Sequence, residues 1–164
     1  MTRCAAFVTV FILILSILSC KKAPETSALP LAELVDLDGR KVTMAQFSGK
    51  PVIVNFWATW CGPCRLEIPM INELYKKYSP HGLVIVGVST DDDGAPAVKE
   101  FNKEVPIQYL SYLTTPDVEA KFGQVWALPT TYFYDRNGKL LEQPLVGIQS
   151  RDYWEKRIQQ LLKE

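Results

Sequence analysis

The segment Val52-Ile-Val-Asn-Phe-Trp-Ala-Thr-Trp-Cys-Gly-Pro-Cys64 decides the fold class of this 164-residue chain. It begins with an apolar run interrupted by Asn55, which predicts a strand buried on both faces. It ends in Cys61-Gly-Pro-Cys64, where a helix-period pattern begins, and Pro63 is tolerated in a first helical turn. Because the start of a helix stabilises an anion, a thiolate is favoured there. The segment therefore predicts two thiols that open and close as a disulfide.

Length and composition exclude several other classes of protein. The chain fits one domain of ordinary size, and 48% apolar residues are too few for a polytopic membrane protein. Its 18 basic and 18 acidic residues give zero net charge, so no strongly basic nucleic-acid-binding surface is expected. The single His, His81, excludes most His-rich metal sites and catalytic triads. We expect no nucleic-acid partner, no cofactor and a monomer.

The first twenty residues have the composition of a targeting segment. The apolar run 5–18 fits the central region of a secretory signal and is shorter than the ~18 apolar residues of a typical membrane span. It ends in Ile17-Leu-Ser-Cys20, which resembles a bacterial lipobox, whose Cys becomes the lipidated first residue of the mature protein. An uncleaved anchor, or an ordinary signal with a chance Cys, is the alternative.

Cysteine arithmetic supports the lipoprotein interpretation. Cys4 is removed with the signal, Cys20 takes the lipid, and Cys61 and Cys64 remain as one pair, whereas other assignments leave an odd thiol. We therefore predict a signal peptide over residues 1–19, a lipidated Cys20 with a flexible tether over 20–30, and one folded domain over 31–164.

Turn and breaker residues divide the domain into strands. Asp38-Gly39 predicts a hairpin between residues 31–37 and 40–43. Further strands are predicted over 83–88, 108–112 and 130–134, and residues 139–146 are expected to return as a hairpin partner.

Helices are expected between these strands. They follow Thr43, Pro63, Pro96, Thr115 and Ser150. In the helix after Pro63 the expected apolar stripe is Leu66, Met70, Leu74 and Tyr78. The acidic run 91–93 lacks the spacing of a calcium loop and is interpreted as a solvated helix start. Strands alternating with helices indicate an α/β domain of three layers.

Two segments resemble the thioredoxin superfamily. The stretch Asn55-Phe-Trp-Ala-Thr-Trp-Cys-Gly-Pro-Cys64 is similar to its active-site segment. The stretch Phe122-Gly-Gln-Val-Trp-Ala-Leu-Pro129-Thr-Thr-Tyr-Phe-Tyr-Asp-Arg-Asn-Gly-Lys139 is similar to its cis-proline segment. The N-terminal hairpin and the helix and strand inserted between Asp91 and Thr115 resemble the TlpA/ResA-like branch of membrane-tethered thioredoxins. The resemblance implies a thioredoxin-like three-layer fold with a mixed central sheet.

Catalytic roles follow for three residues. Cys61 at the helix start is expected to be the exposed attacking thiol, and the more buried Cys64 resolves the mixed disulfide. Many thioredoxins have a buried Asp where this chain has Asn55, and an amide cannot transfer the proton. The TlpA/ResA-like branch resembles this chain in placing an acid three residues after the second Cys. That acid, Glu67, is predicted to exchange a proton with Cys64; the alternative is a solvated Glu paired with Arg65 or a nearby Lys.

Substrate-binding residues are expected on both sides of the cysteine pair. They are Trp60, Gly62, Pro63, Leu128 and Pro129. The resemblance implies that Pro129 follows a cis bond and that the backbone of its loop hydrogen-bonds an extended substrate. Trp57 is expected in the core or as a shield over the pair. Trp126 replaces the small residues common at its position and either lines the substrate groove or packs under it.

The expected function is that of an extracytoplasmic, membrane-anchored lipoprotein that faces the periplasm or lies on the cell surface. Gly-Pro between the cysteines resembles the reducing thioredoxins, so reduction of protein disulfides by dithiol–disulfide exchange is favoured. The resemblance implies a membrane thiol transporter as electron donor. It also implies apocytochrome c, or another periplasmic redox protein, as a substrate, and hence a role in cytochrome c biogenesis.

Other functions stay open as alternatives. A disulfide-forming oxidase or isomerase, or a copper-delivery module on the same scaffold, would use the same two cysteines. An inert disulfide is disfavoured because closing so small a loop contributes only about 2 kcal/mol. A structural zinc site wants about four ligands, and no second Cys pair exists, so no metal site is assigned. A peroxidase would need a separate reactive Cys.

Overall fold

The computed structural model describes residues 28–163, which contain seven strands and four α-helices. The strands are β1 Glu33–Asp36, β2 Lys41–Thr43, β3 Val52–Trp57, β4 Val84–Ser89, β5 Leu110–Leu113, β6 Thr130–Tyr134 and β7 Leu145–Val146. The helices are α1 Gly62–Tyr78, α2 Gly94–Glu104, α3 Pro116–Phe122 and α4 Arg151–Lys163. Short 3₁₀ helices cover Met44–Phe47 and Ser79–His81.

The seven strands form one mixed sheet in the order β2-β1-β5-β4-β3-β6-β7. The β3–β4 and β4–β5 pairs are parallel, and the other pairs are antiparallel. This arrangement confirms the predicted mixed sheet, the N-terminal hairpin and the inserted helix–strand, α2–β5. All six residues of β3 and of β4 are buried, as expected of strands covered on both faces.

Alternation along β3 divides its side chains between two layers of core. Val52, Val54 and Phe56 point to the face covered by α3 and by the 3₁₀ helix Met44–Phe47. Ile53 points to the opposite face, where α1 and α4 contribute Ile71, Leu74, Trp154 and Ile158. Asn55 and Trp57 share this second face. The helix that carries the cysteines therefore packs directly over the polar position of the central strand.

The buried face of α1 differs from the predicted stripe. Leu74 and Tyr78 are buried, but Leu66 is 74% exposed and Met70 is only half-buried. The buried residues are Cys64, Glu67, Ile68, Ile71, Leu74 and Tyr78. Successive residues turn by about 100° around a helix, so three steps of four residues drift by about 120°. A strict spacing of four therefore carries the stripe from the core at Tyr78 to the surface at Leu66.

Two boundaries also differ from the expectation. The return strand predicted over 139–146 is paired continuously only at Leu145–Val146, with one isolated bridge between Tyr134 and Leu140. The folded body includes residues before the expected start at Leu31, because Ala28 bridges to Lys139 and the buried Leu29 donates its N–H to the Gly138 carbonyl.

The predicted signal peptide and the lipidation site Cys20 lie outside the described residues. Within residues 28–163 no helix is both long enough and apolar enough to cross a membrane.

Candidate active site

Cys61 and Cys64 form a disulfide where β3 passes into α1. Cys61 is the N-cap of α1, and its sulfur accepts a hydrogen bond from the Cys64 backbone N–H at 3.2 Å. Pro63 stands in the first turn, where its missing N–H removes no helical hydrogen bond. On reduction, the N–H groups and the dipole of the helix start stabilise a thiolate on Cys61. The local fold therefore supplies a reactive sulfur at the position expected from the sequence.

The two cysteines differ in what they face. Both are buried in the disulfide state, so the expectation that Cys61 would be exposed is wrong for this state. Both belong to an apolar cluster with Trp57, Ile68 and Phe101, but Cys61 also lines a surface groove and Cys64 does not. Access from solvent is therefore to Cys61, which agrees with its expected role as the attacking thiol.

Glu67 is a buried carboxyl one helical turn after Cys64. Its Oε1 accepts hydrogen bonds from the Gln149 backbone N–H at 3.2 Å and from the Trp154 indole N–H at 3.1 Å. Burial raises the pKa of Glu67 above its ordinary value of 4.5, and these hydrogen bonds oppose part of that shift. The alternative of a solvated Glu paired with Arg65 or a nearby Lys is wrong, because Glu67 is buried and Arg65 pairs with Glu104.

Asn55 lies under Glu67 and links the central strand to the helix. Its Nδ2 donates to Thr131 Oγ1 at 3.0 Å and makes a longer contact with Glu67 Oε2 at 3.5 Å. Asn55 therefore connects Thr131 of β6 to the carboxyl of Glu67 on α1. Nearby, burial raises the pKa of Tyr109, with a smaller contribution from the charge of Glu67, and keeps this phenol neutral.

A groove of about 820 Å³ opens over the disulfide. Of the five predicted substrate-binding residues, Trp60, Gly62, Pro63 and Leu128 line it. The Leu128–Pro129 bond is cis, as predicted. Pro129 itself is buried, does not line the groove, and accepts the Gly147 N–H through its carbonyl at 2.8 Å. Its contribution to the groove is therefore to hold the Leu128 segment in place.

Two exposed tryptophans mark the rim of this groove. Trp60 is 71% exposed and Trp126 is 84% exposed, and both line the groove. The open choice for Trp126 is thus settled in favour of lining the groove rather than packing under it. Trp57 is fully buried, with its ring 5.2 Å from that of Phe101, in the cluster that contains Cys64. Trp57 is therefore a core residue beneath the disulfide.

Asp91 is a site residue that the sequence interpretation missed. It was expected in a solvated helix start, but it is buried and binds Thr59, two residues before Cys61. A usable signal existed, because Thr59 and Asp91 each follow a buried strand by two residues. Parallel neighbouring strands bring such positions to the same edge of a sheet. In the part of the chain that the structure describes, no group of three or more His, Cys, Asp or Glu side chains is arranged to hold a metal ion.

Comparison with known proteins places this geometry in a family. Residues 21–143 match the AhpC/TSA family. The thiol-disulfide oxidoreductase ResA of Bacillus thuringiensis subsp. konkukian is 34% identical over 128 residues, which cover 78% of this chain and 73% of the relative. The thiol:disulfide interchange protein DsbE of Pseudomonas aeruginosa is 36% identical over 132 residues, which cover 76% and 69%.

A solved structure shows the same fold. The thiol:disulfide interchange protein of the thioredoxin family from Chlorobium tepidum superposes with a TM-score of 0.75 at 29% identity, covering 86% of this chain and 99% of that one. These similarities agree with a Cys-x-x-Cys disulfide at the start of a helix beneath an open groove. The chain therefore belongs to the thioredoxin-like AhpC/TSA family and is a thiol–disulfide oxidoreductase.

Proposed function

We propose that this protein reduces protein disulfides outside the cytoplasm, through Cys61 and Cys64, while a lipid on Cys20 holds it at a membrane. The observation that carries the proposal is that the two cysteines have different surroundings. The sulfur of Cys61 stands at a helix start and opens to the groove, whereas Cys64 is sealed beneath it beside a buried acid. Such an arrangement suits attack by one thiol and resolution by the other.

The exchange has two steps. In the dithiol form the Cys61 thiolate attacks one sulfur of the substrate disulfide, and the other substrate sulfur leaves as a thiolate. Cys64 then attacks the Sγ of Cys61, which releases the second substrate sulfur and leaves the Cys61–Cys64 disulfide. Two electrons pass to the substrate. A membrane thiol transporter, proposed from the family resemblance, returns them by the reverse exchange.

Glu67 serves the second step. Apolar surroundings disfavour a thiolate, so Cys64 needs a base before it can attack. Glu67 lies three residues further along the same face of α1 and is itself buried. Because burial raises the pKa of Glu67, its carboxylate is a stronger base than that of a solvated Glu. We assign it the proton that Cys64 gives up.

The groove binds an extended segment of the substrate. Trp60, Gly62 and Pro63 form one side and Leu128 the other, with Pro129 holding the second side in position. Aromatic rims of this kind offer large contact areas at low entropic cost. For the substrate we propose apocytochrome c or another periplasmic redox protein. The support for this choice is the family resemblance, not a contact in the groove.

Trapping the mixed disulfide tests the function. In Cys64→Ala the first step proceeds and the second cannot, so a covalent complex through Cys61 should accumulate in the membrane fraction of cells. Mass spectrometry then identifies the partner and the linked cysteine. The matched control is Cys61→Ala, which should trap nothing. If Cys64→Ala traps no protein, or if both variants trap the same proteins equally, the proposal is wrong.

The lipid anchor is tested separately. Cells fed labelled palmitate should incorporate the label into wild type and Cys4→Ser but not into Cys20→Ser, whose unprocessed apolar segment 5–18 still holds it at the membrane. A Cys20→Ser protein that takes up the label would contradict lipidation at this residue.

A further inference from the structure

We propose that Asp91 is a positioning residue for Cys61: its buried carboxylate holds the turn before Cys61 and places there a negative charge that favours the disulfide over the dithiol. This inference rests on the proposed function and deepens it, because such a charge makes the pair a better electron donor.

The carboxyl of Asp91 contacts two residues, Thr59 and Ser89. Its Oδ1 accepts from the Thr59 hydroxyl at 2.5 Å, and its two oxygens share the Thr59 backbone N–H at 3.1 and 3.0 Å. Its Oδ2 also accepts from the Ser89 hydroxyl at 2.7 Å. The two carboxyl oxygens accept in all of these contacts. The end of β4 is thus fastened to the turn that leaves β3.

This turn leads directly to the reactive sulfur. The Cys61 backbone N–H donates to the Ala58 carbonyl at 3.1 Å, so the conformation of Ala58 and Thr59 sets where Cys61 begins α1. The Thr90 N–H donates to the Trp57 carbonyl at 2.9 Å and extends the strand pairing up to Asp91. A carboxylate that holds Thr59 therefore acts on Cys61 through two residues of fixed backbone.

The charge of Asp91 has no cationic partner among residues 28–163. No Lys, Arg or His of that range forms an ion pair with it. Arg65 approaches the same turn, but its Nη1 donates to the Thr59 carbonyl at 3.3 Å and its Nη2 pairs with Glu104. Glu119, on α3, lines the groove with Cys61 and adds a second negative charge.

The direction of the effect follows from electrostatics. A nearby anion disfavours a thiolate and so raises the pKa of the thiol. Proteins of this fold become strong oxidants when their reduced form is stabilised. They become better reductants when the reduced form is destabilised relative to the disulfide. A carboxylate held behind Cys61 therefore shifts the pair toward giving up electrons, against the stabilising effect of the helix start.

The chain offers a matched control for this residue. Asp135 is 5% exposed, against 8% for Asp91, and its Oδ1 also accepts two backbone N–H groups, from Asn137 and Lys139 at 2.8 Å each. It follows Tyr134, which pairs with Val52, so it lies at the opposite end of β3 from Cys61. Asp135→Asn removes an equally buried charge without changing the active-site turn.

The test compares purified full-length Asp91→Asn, Asp135→Asn and wild type. The readouts are the equilibrium constant with the glutathione couple and the Cys61 thiol pKa, followed by thiolate absorbance. Asp91→Asn should shift the equilibrium about tenfold toward the dithiol, equivalent to about 30 mV, and lower the Cys61 pKa. Asp135→Asn should stay within about twofold of wild type. Asp91→Ser, a smaller neutral side chain, replaces Asp91→Asn if that variant does not fold.

A third variant separates charge from geometry. Thr59→Val removes the hydroxyl that binds Asp91 but keeps both the charge and the backbone N–H of residue 59 that Asp91 accepts, so its equilibrium constant should stay within about twofold of wild type. If Thr59→Val shifts the equilibrium as much as Asp91→Asn does, or if Asp91→Asn matches Asp135→Asn, the proposal is wrong. The wild-type potential tests the reducing direction independently, since the Asp91 effect is a difference from that value.

Discussion

A buried aspartate accepts backbone N–H groups at each end of the central sheet, but the two aspartates stabilise different parts of the molecule. At one end Asp135 accepts the N–H groups of its own turn, within four residues, and closes a hairpin. At the other end Asp91 accepts from Thr59, 32 residues away, and joins two strands. Within residues 28–163, the disulfide, the groove of about 820 Å³ and the two exposed tryptophans all lie at this second end. A buried Asp that serves its own turn stabilises the fold, whereas one that reaches across strands shapes the site.

The largest effect is expected at Cys61, because activity should depend on the end of the sheet that carries the disulfide. Cys61→Ser should abolish reduction of insulin disulfides, because a hydroxyl cannot form the mixed disulfide. Asp135→Asn, in the hairpin turn at the end of the sheet opposite Cys61, should keep nearly the full rate. Turbidity of precipitating insulin chains, with dithiothreitol as donor, measures both. A Cys61→Ser protein with substantial activity would place the reactive group elsewhere.

Glu67→Gln gives the next largest effect. Removing the proton acceptor for Cys64 should lower kcat by about 100-fold, the lower range for general acid–base catalysis. The first exchange, measured as the rate of mixed-disulfide formation in the Cys64→Ala background, should hardly change. An equal loss in both steps would show that Glu67 supports the fold of the site rather than the proton transfer.

The same variant changes the pH dependence of stability. Burial raises the pKa of Glu67, so the folded protein binds this proton more tightly than the unfolded chain does. Its contribution to stability is complete below the ordinary pKa of 4.5 and is lost as pH rises through the raised value. The difference in unfolding free energy, Glu67→Gln minus wild type, should therefore grow with pH across this window in urea titrations of the oxidised proteins. A difference independent of pH would contradict the raised pKa.

Trp126→Ala should have a smaller effect that depends on the substrate. Loss of one exposed aromatic side from the groove should raise KM for protein disulfides about tenfold. A small disulfide such as oxidised glutathione should react at nearly the wild-type rate, since it fills little of the groove. A Tyr at this position should restore most of the affinity. Equal losses for both substrates would mean that Trp126 acts on the cysteines and not on the substrate.

The smallest effect on activity is expected for Leu29→Ala, at the Asp135 end of the sheet. Leu29 is buried against Gly138, and Leu29→Ala should lower the unfolding free energy by about 2 kcal/mol. The rate of insulin reduction should remain unchanged while the protein is folded. Urea unfolding and the insulin assay measure the two quantities on one preparation. If Leu29→Ala lost activity without losing stability, the Asp135 end would contribute to activity and the difference between the two ends would not hold.

Local patterns were enough to predict the centre of the site. Cys61, Cys64 and the helix start are contained in thirteen consecutive residues, and Glu67 lies on the next turn of the same helix. The hairpin at Asp38-Gly39 and the cap at Thr115 are equally local, and the structure confirms both. Such features depend on backbone preferences and helix geometry, which a sequence displays directly.

Features that depend on distant partners were not predicted. The buried face of α1 is chosen by Trp154 and Ile53, which pack against it from α4 and β3, so Leu66 was assigned to the wrong side. Asp91 stands in a run of three acids that suggests solvent, and only its pairing with Thr59 makes it buried. The alignment of β3 with β4, Trp57 opposite Ser89, creates that contact.

The central claim is that the Cys61–Cys64 pair, at the groove end of the sheet, donates electrons to substrate disulfides. The reduction potential of the wild-type pair tests this claim most directly. It is measured by equilibrating the purified protein with glutathione or dithiothreitol couples and quantifying the free thiols. We predict a value near that of thioredoxin, about −270 mV. A value above about −180 mV, the level of protein disulfide isomerase, would contradict the reducing role and indicate a disulfide-forming enzyme.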